Sequence, residues 1–243
     1  MGVSNQVRWL PKSGNALGEY EDAFCRHCHL GADVSRLAVA DGATEASFSR
    51  QWAQLLVRAY CDGQFANDVL WRALQELQPK WLAKVRPTPL PWYAEEKLQR
   101  GAYSSLVGLT LHARGEDEVG TWEALAIGDS CLFQIQNKKL IVRWPIDSSA
   151  QFNNSPILLS TKLECNEGLV KQTKSGKWSP GDLFYLMTDA LAQYYLQAVE
   201  QGGSPESVMP DFSSVVFSDW VARRRSSGQM RNDDVTLLRV NLT

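Results

Sequence analysis

The chain has 243 residues, 44% of them apolar and 21% charged, with 25 basic residues against 27 acidic ones and a net charge of −2. That composition belongs to a folded globular protein and excludes disorder and low complexity. The balanced charge gives no electrostatic reason to expect nucleic acid or an anionic membrane as partner, and the longest apolar run, Leu183 to Met187, is far short of a bilayer span.

Met1 to Gln6 carries no hydrophobic signal region and no myristoylation pattern, and the five cysteines are an odd number in a long chain. Reduced thiols in a cytoplasm are therefore the expectation. No repeat, linker or composition break divides the sequence, so residues 1–243 read as one domain.

In chain order, a first strand opens at Ala23-Phe24 and a second covers Leu37 to Ala40. Phe48, Trp52, Leu55, Leu56 and Ala59 then recur on one helical stripe, with Thr44 or Ser47 as cap. Val69, Leu70, Ala73, Leu74 and Leu77 form a second amphipathic helix before Pro79, and Arg86 to Pro91 is a stiff connection. Leu106 to Leu111 and Trp122 to Ile127 read as strands, and Cys131 to Ile135 with Leu140 to Trp144 as a hairpin closed by Gln136-Asn137-Lys138-Lys139. Leu183 to Met187 is a strand, Ala190 to about Gly202 a helix, and Val235 to Val240 the last strand. Helices come in groups between strands rather than alternating with them, which predicts an α+β fold of antiparallel sheets with packed helices.

The acidic residues fall at the ends of these strands. Asp41 follows Leu37 to Ala40, Asp189 follows Leu183 to Met187 and Thr188, and each opens a helix. Asp129 sits at the Gly128-Asp129-Ser130 break, Asp233-Asp234 precede the last strand, and Glu21-Asp22 precede the first. Capping accounts for Asp41 or Asp189 taken singly, but not for Glu21 or Asp233. Strand-end carboxylates with only three histidines form the ligand set of a hard divalent cation such as Mg²⁺ or Mn²⁺.

Six segments in order carry a resemblance. They are Glu21-Asp22-Ala23-Phe24, Val39-Ala40-Asp41-Gly42, Ser104-Ser105-Leu106, Ile127-Gly128-Asp129-Ser130, Leu186-Met187-Thr188-Asp189 and Asn232-Asp233-Asp234-Val235-Thr236. Together they resemble the motifs of the metal-dependent, type 2C serine/threonine phosphatases in their short bacterial form. The resemblance implies a β-sandwich of two antiparallel sheets flanked by helix pairs, a four-layer αββα arrangement. It also implies two Mn²⁺ or Mg²⁺ ions at one end and hydrolysis of phosphoserine or phosphothreonine by a metal-activated water. Carried over residue by residue, Asp41 bridges both ions beside the Gly42 carbonyl, Glu21 holds one ion, and Asp189 and Asp233 hold the other. Asp22 orients the attacking water, and Asp129 matches a position that contributes to a third, weaker site. The implied partner is a phosphorylated protein, the substrate of a Ser/Thr kinase.

The chain departs from the better-known members at three places. Ala43 follows Asp41-Gly42 where they have a histidine, Leu17 stands where they have a phosphate-binding arginine, and Ala190 follows Asp189 where they have glycine. Arg8 or Lys12 is a candidate for the missing positive charge. A phosphatase-fold module that binds a phosphoprotein with weak turnover or none is the alternative function. A third reading is a scaffold whose acids are caps.

Other signals carry less. Cys25-Arg26-His27-Cys28-His29 is half of a zinc site without a second half. The cysteine-phosphatase loop, the nucleophile elbow, the Walker loop and the Gly-x-Gly-x-x-Gly motif are absent. Trp71, Trp81 and Trp92 fit core packing better than a partner surface, and Arg223-Arg224-Arg225 complements a helix C-terminus.

Overall fold

The computed structural model describes residues 2–27, 33–43, 48–65, 70–86, 98–113, 119–153, 155–209 and 214–243. Twelve strands are present among them: β1 (Val3–Leu10), β2 (Ala23–His27), β3 (Val34–Ala40), β4 (Tyr103–Ser104), β5 (Leu106–His112), β6 (Gly120–Ile127), β7 (Cys131–Gln136), β8 (Lys139–Trp144), β9 (Leu159–Ser160), β10 (Gln172–Trp178), β11 (Leu183–Met187) and β12 (Val235–Leu242). The helices are α1 (Ser49–Cys61), α2 (Leu70–Val85), α3 (Asp189–Glu200) and α4 (Ser214–Ser226). One sheet runs β1-β12-β11-β7-β8 and the second β10-β6-β5-β3-β2, with every pairing antiparallel. This is the expected α+β sandwich.

The period-2 alternation of the strands builds three apolar layers. Leu37, Val39, Leu109, Trp122, Phe184, Leu186, Leu238 and Val240 point between the sheets. Their neighbours Ala38, Ala40, Leu106, Leu125 and Ile127 point outward onto α1 and α2. Phe133, Tyr185, Met187, Val235 and Leu237 point the other way, onto Leu191, Tyr195, Phe217 and Trp220 of α3 and α4. Trp52 of α1 is fully buried and donates its indole N–H to the Leu159 carbonyl at 3.0 Å. Its truncation to alanine costs about 3–5 kcal/mol.

Three local expectations need correction. The residue preceding α1 is Phe48, left-handed at φ 67 and without a capping side chain, while Thr44 and Ser47 lie outside the described residues. Pro79 lies inside α2 instead of beyond its end. Proline removes one backbone hydrogen bond there, but Trp81 and Val85 continue the buried stripe of Leu74 and Leu77, so packing carries the helix through. Trp81 also donates to the Phe48 carbonyl at 3.2 Å. The edge strands β1 and β10 add to the set read from the sequence.

Trp81 is buried, Trp71 is 43% exposed, and Trp92 lies outside the described residues, as does the Pro87–Pro91 stretch. Of the zinc-like segment, Cys28 and His29 also lie outside them. No described helix is long and apolar enough to cross a membrane.

Candidate active site

The strand register carries the acidic corners to one end of the sandwich. Ala23 pairs with Ala40, Leu106 with Ile127, and Met187 with both Cys131 and Leu237. The residues just beyond these partners are Glu21-Asp22, Asp41, Asp129, Asp189 and Asp233.

Each carboxylate is held by its local chain. Asp41 leaves β3 with its carbonyl accepting from the Ser105 N–H and the Ser104 hydroxyl, both at 2.8 Å, and donates its own N–H to Ser105 Oγ at 3.2 Å. Ser105 Oγ in turn meets Ser130 Oγ at 2.6 Å, which ties the Asp41 corner to the Asp129 turn. That turn reverses at Gly128, whose φ of +90 is a conformation glycine adopts without Cβ strain. Gly42 is confined for another reason. A Cβ there would lie 2.7 Å from the Glu21 carbonyl and 3.0 Å from the Ser49 backbone.

Glu21 Oε1 accepts from the Ser49 hydroxyl, at the first residue of α1, at 2.7 Å. Asp22 is buried beneath the cluster, and its Oδ2 accepts from Thr236 Oγ1 at 2.6 Å and Thr188 Oγ1 at 3.0 Å. Tyr20 extends the chain of hydroxyls, 2.5 Å from Thr236 Oγ1. Asp22 Oδ1 is buried with no hydrogen-bond partner.

The electrostatics are those of a crowded set of acids. Burial pushes Asp41 well above the usual carboxylate range, and the charges of Asp189, Asp22, Asp129 and Asp233 add to the push. Asp129 is raised to about 7 by burial and then by Asp189. Asp233 is raised by burial and then Asp189, against the opposing Asp234 N–H and Arg231. Asp22 is raised by burial, opposed by its Thr236 bond.

A basic residue sits inside this set. Arg231 pairs through one terminal nitrogen with Asp189 Oδ2 and lies 4.0 Å from Asp233 Oδ2. Burial opposes its charge, but Asp189, Asp233 and Asp129 outweigh that and keep it protonated. Among the described residues, no three His, Cys, Asp or Glu side chains stand close enough to hold an ion without adjustment. The mutual pKa effects nevertheless place Asp41, Asp129, Asp189 and Asp233 within electrostatic reach of one another. The Arg231 guanidinium lies against two of them, paired with Asp189 and 4.0 Å from Asp233. Hard carboxylate oxygens, the raised proton affinity of Asp41, Asp129 and Asp233, and the orphaned Asp22 Oδ1 suit a divalent cation in chemistry and charge.

The sequence reading brought all six acidic positions to this end and missed Arg231, although it lies two residues before Asp233. Arg8 donates to the Val7 carbonyl at 2.8 Å, and Lys12 reaches the region through its backbone N–H, which donates to Asp234 Oδ1 at 2.8 Å. A cleft of about 470 Å³ beside Asn232 is lined by Leu10, Lys12, Ser13, Ala222 and Arg225. A second cavity, of about 530 Å³, lies away from the carboxylates, between Arg36, Tyr60, Phe65, Thr110, His112 and Lys174.

The molecule is thus a two-sheet sandwich with helices on both outer faces and acids gathered at one end. A family profile described as protein phosphatase 2C matches residues 19–232, so the chain belongs to the protein phosphatase 2C family. Solved structures agree on the fold. The catalytic domain of the serine threonine protein phosphatase PstP, in complex with two manganese ions, is 15% identical with a TM-score of 0.58, over 99% of this chain and 98% of that one. RsbX in complex with magnesium is 17% identical with a TM-score of 0.50, over 99% and 96%. PppA, a key regulatory component of T6SS in Pseudomonas aeruginosa, is 18% identical with a TM-score of 0.56, over 99% and 98%. Among curated proteins no sequence match is found.

Proposed function

We propose that this chain is a phosphoprotein phosphatase that hydrolyses phosphoserine and phosphothreonine with Mn²⁺ or Mg²⁺, residues 1–243 acting as one domain. The observation that carries the reading is the gathering of Asp41, Asp129, Asp189 and Asp233 from separate strand ends, where burial and mutual repulsion raise Asp41, Asp129 and Asp233. Such a set is stabilised by divalent cations. The manganese and magnesium ions held by two structural neighbours support the choice of metal.

In this reading Glu21 would hold one ion, Asp189 and Asp233 the other, Asp41 with the Gly42 carbonyl beside it would serve both, and Asp129 would serve a third site. Two bound divalent cations supply Lewis-acid activation of a water nucleophile and neutralise phosphoryl charge. The rest falls to the chain itself. Ser49 aims Glu21, and the Ser104-Ser105 segment fixes the Asp41 backbone. Asp22, anchored through Oδ2 by two threonine hydroxyls, keeps Oδ1 free to accept a proton donor and so to orient the attacking water. Phosphoryl transfer needs little beyond such positioning and charge neutralisation. Ala43 after Gly42 has no proton to give the leaving alkoxide. Among the described residues Cys25, Cys131 and Cys165 are free thiols, which suits a reducing cytoplasm.

A second reading, a module that binds a phosphoprotein without turnover, draws on Leu17, Ala43 and the Arg231–Asp189 pair. The test is hydrolysis of p-nitrophenyl phosphate and a phosphothreonine peptide with Mn²⁺, with Mg²⁺ and with chelator. Metal-dependent release of phosphate supports the enzyme. Silence under every condition, alongside tight phosphopeptide binding, supports the module.

A further inference from the structure

Arg231 lies in the segment between α4 and β12, two residues before Asp233. Its ion pairs among the described residues are both with the carboxylate cluster, to Asp189 and to Asp233. Its Nε is buried and has no hydrogen-bond partner, so the guanidinium engages Asp189 through one terminal nitrogen and leaves its fork unmatched. Arginine–carboxylate pairs are frequently bidentate, with two parallel bonds that add geometric specificity. Arg231 acts as a point charge in a set of repelling acids, and its side chain is 37% exposed against 10% for Asp189, so it can withdraw toward solvent.

Arginine stays charged at any working pH. A divalent cation held by Asp189 and Asp233 would therefore repel the guanidinium, while the Arg231 backbone stays tethered two residues before Asp233. A fork freed in this way would suit phosphoryl oxygens, whose geometry a guanidinium matches in two parallel bonds. Leu17, 66% exposed, brings no charge of its own to the position where the better-known members have arginine, and the Arg50 guanidinium beside it donates to the Gly18 carbonyl at 2.9 Å.

We infer that Arg231 is a two-position residue: counter-ion of Asp189 and Asp233 in the cation-free chain, and binding group for the substrate's phosphoryl oxygens once divalent cations hold those carboxylates. The inference rests on the metal-dependent reading above.

Calorimetry on the full chain tests it, first with Mn²⁺ alone and then with inorganic phosphate added to the Mn²⁺-loaded protein, for wild type, Arg231→Gln and Arg231→Lys. Removal of the charge in Arg231→Gln tightens Mn²⁺ binding about tenfold and weakens phosphate binding at least about tenfold, the scale of one charge-assisted contact. Arg231→Lys keeps the charge without the fork, so it retains the wild-type Mn²⁺ affinity and loses part of the phosphate affinity; it also controls for folding. Unchanged or weaker Mn²⁺ binding in Arg231→Gln overturns the inference, as does unchanged phosphate binding, while Mn²⁺ binding by wild type leaves the metal-dependent reading standing. Failure of wild type to bind Mn²⁺ overturns both.

Discussion

Asp234 accepts the backbone N–H of Glu21 through Oδ2 at 2.6 Å, across 213 positions of sequence. Its other oxygen accepts the Lys12 N–H, so a buried carboxylate just before β12 pins the segment that presents Glu21 ahead of β2. Asp234→Ala strands both amides and costs about 1–3 kcal/mol in urea unfolding, with weaker Mn²⁺ binding because Glu21 loses its fixed origin. Asp234→Asn keeps one acceptor oxygen and costs less. Equal stability for wild type and Asp234→Ala would mean that the Glu21 segment is held elsewhere.

Gly42 allows a close approach among three segments. The side chain in Gly42→Ala would press on the Glu21 carbonyl and the start of α1, both backbone, so the strain cannot be relieved by a rotamer change. A loss of about 1–3 kcal/mol is expected, the range for overpacking, together with a fall in turnover larger than in a Gly18→Ala control, where a Cβ meets nothing within 4 Å.

The hydroxyl chain under Asp22 is open to a sharper test. Thr236→Val removes the hydroxyl that lies between Tyr20 and Asp22, and leaves Asp22 with only the Thr188 bond. We expect a cost of about 1–3 kcal/mol for the stranded buried groups and a fall in kcat with little change in KM. A pure rise in KM would argue against a water-orienting role for Asp22.

The raised carboxylates set a pH dependence with a definite sign. A carboxyl raised on folding takes up more protons in the folded than in the unfolded chain, so its stabilising share is complete below its ordinary value of 3.8 and lost as pH rises through its folded value, about 7 for Asp129. In chelator, melting temperature should therefore fall between pH 5 and pH 8. Asp129→Asn should flatten part of that fall, and saturating Mn²⁺ should remove most of it. A cation-free chain whose stability rises across this window would contradict the crowding of unpaired acids.

Much of the fold was legible because burial writes periodicity into sequence. β11 is buried at every position and reads as a continuous apolar run, and β3 and β12 place their acids directly beyond apolar stretches. The edge strands left weaker marks. β10 is Gln172–Trp178 with only Trp178 buried, and β1 alternates half-buried with exposed residues, so neither carries a hydrophobic signal. Pro79 reads as a stop because the local rule is steric, while the packing of Trp81 that overrides it is tertiary. The Arg231–Asp189 pair spans 42 positions and obeys no local pattern, so nothing short of the folded chain reveals it.

The most direct measurement is phosphate release from a phosphothreonine peptide by wild type and Asp41→Asn, each with Mn²⁺ and with chelator, beside calorimetric Mn²⁺ binding by both proteins. The account predicts turnover by wild type that depends on Mn²⁺, a loss of at least about a thousandfold in the variant, as expected when several kcal/mol of transition-state charge stabilisation disappear, and weakened Mn²⁺ binding by a variant that still folds. Full turnover by Asp41→Asn, or equal turnover in chelator, would contradict it.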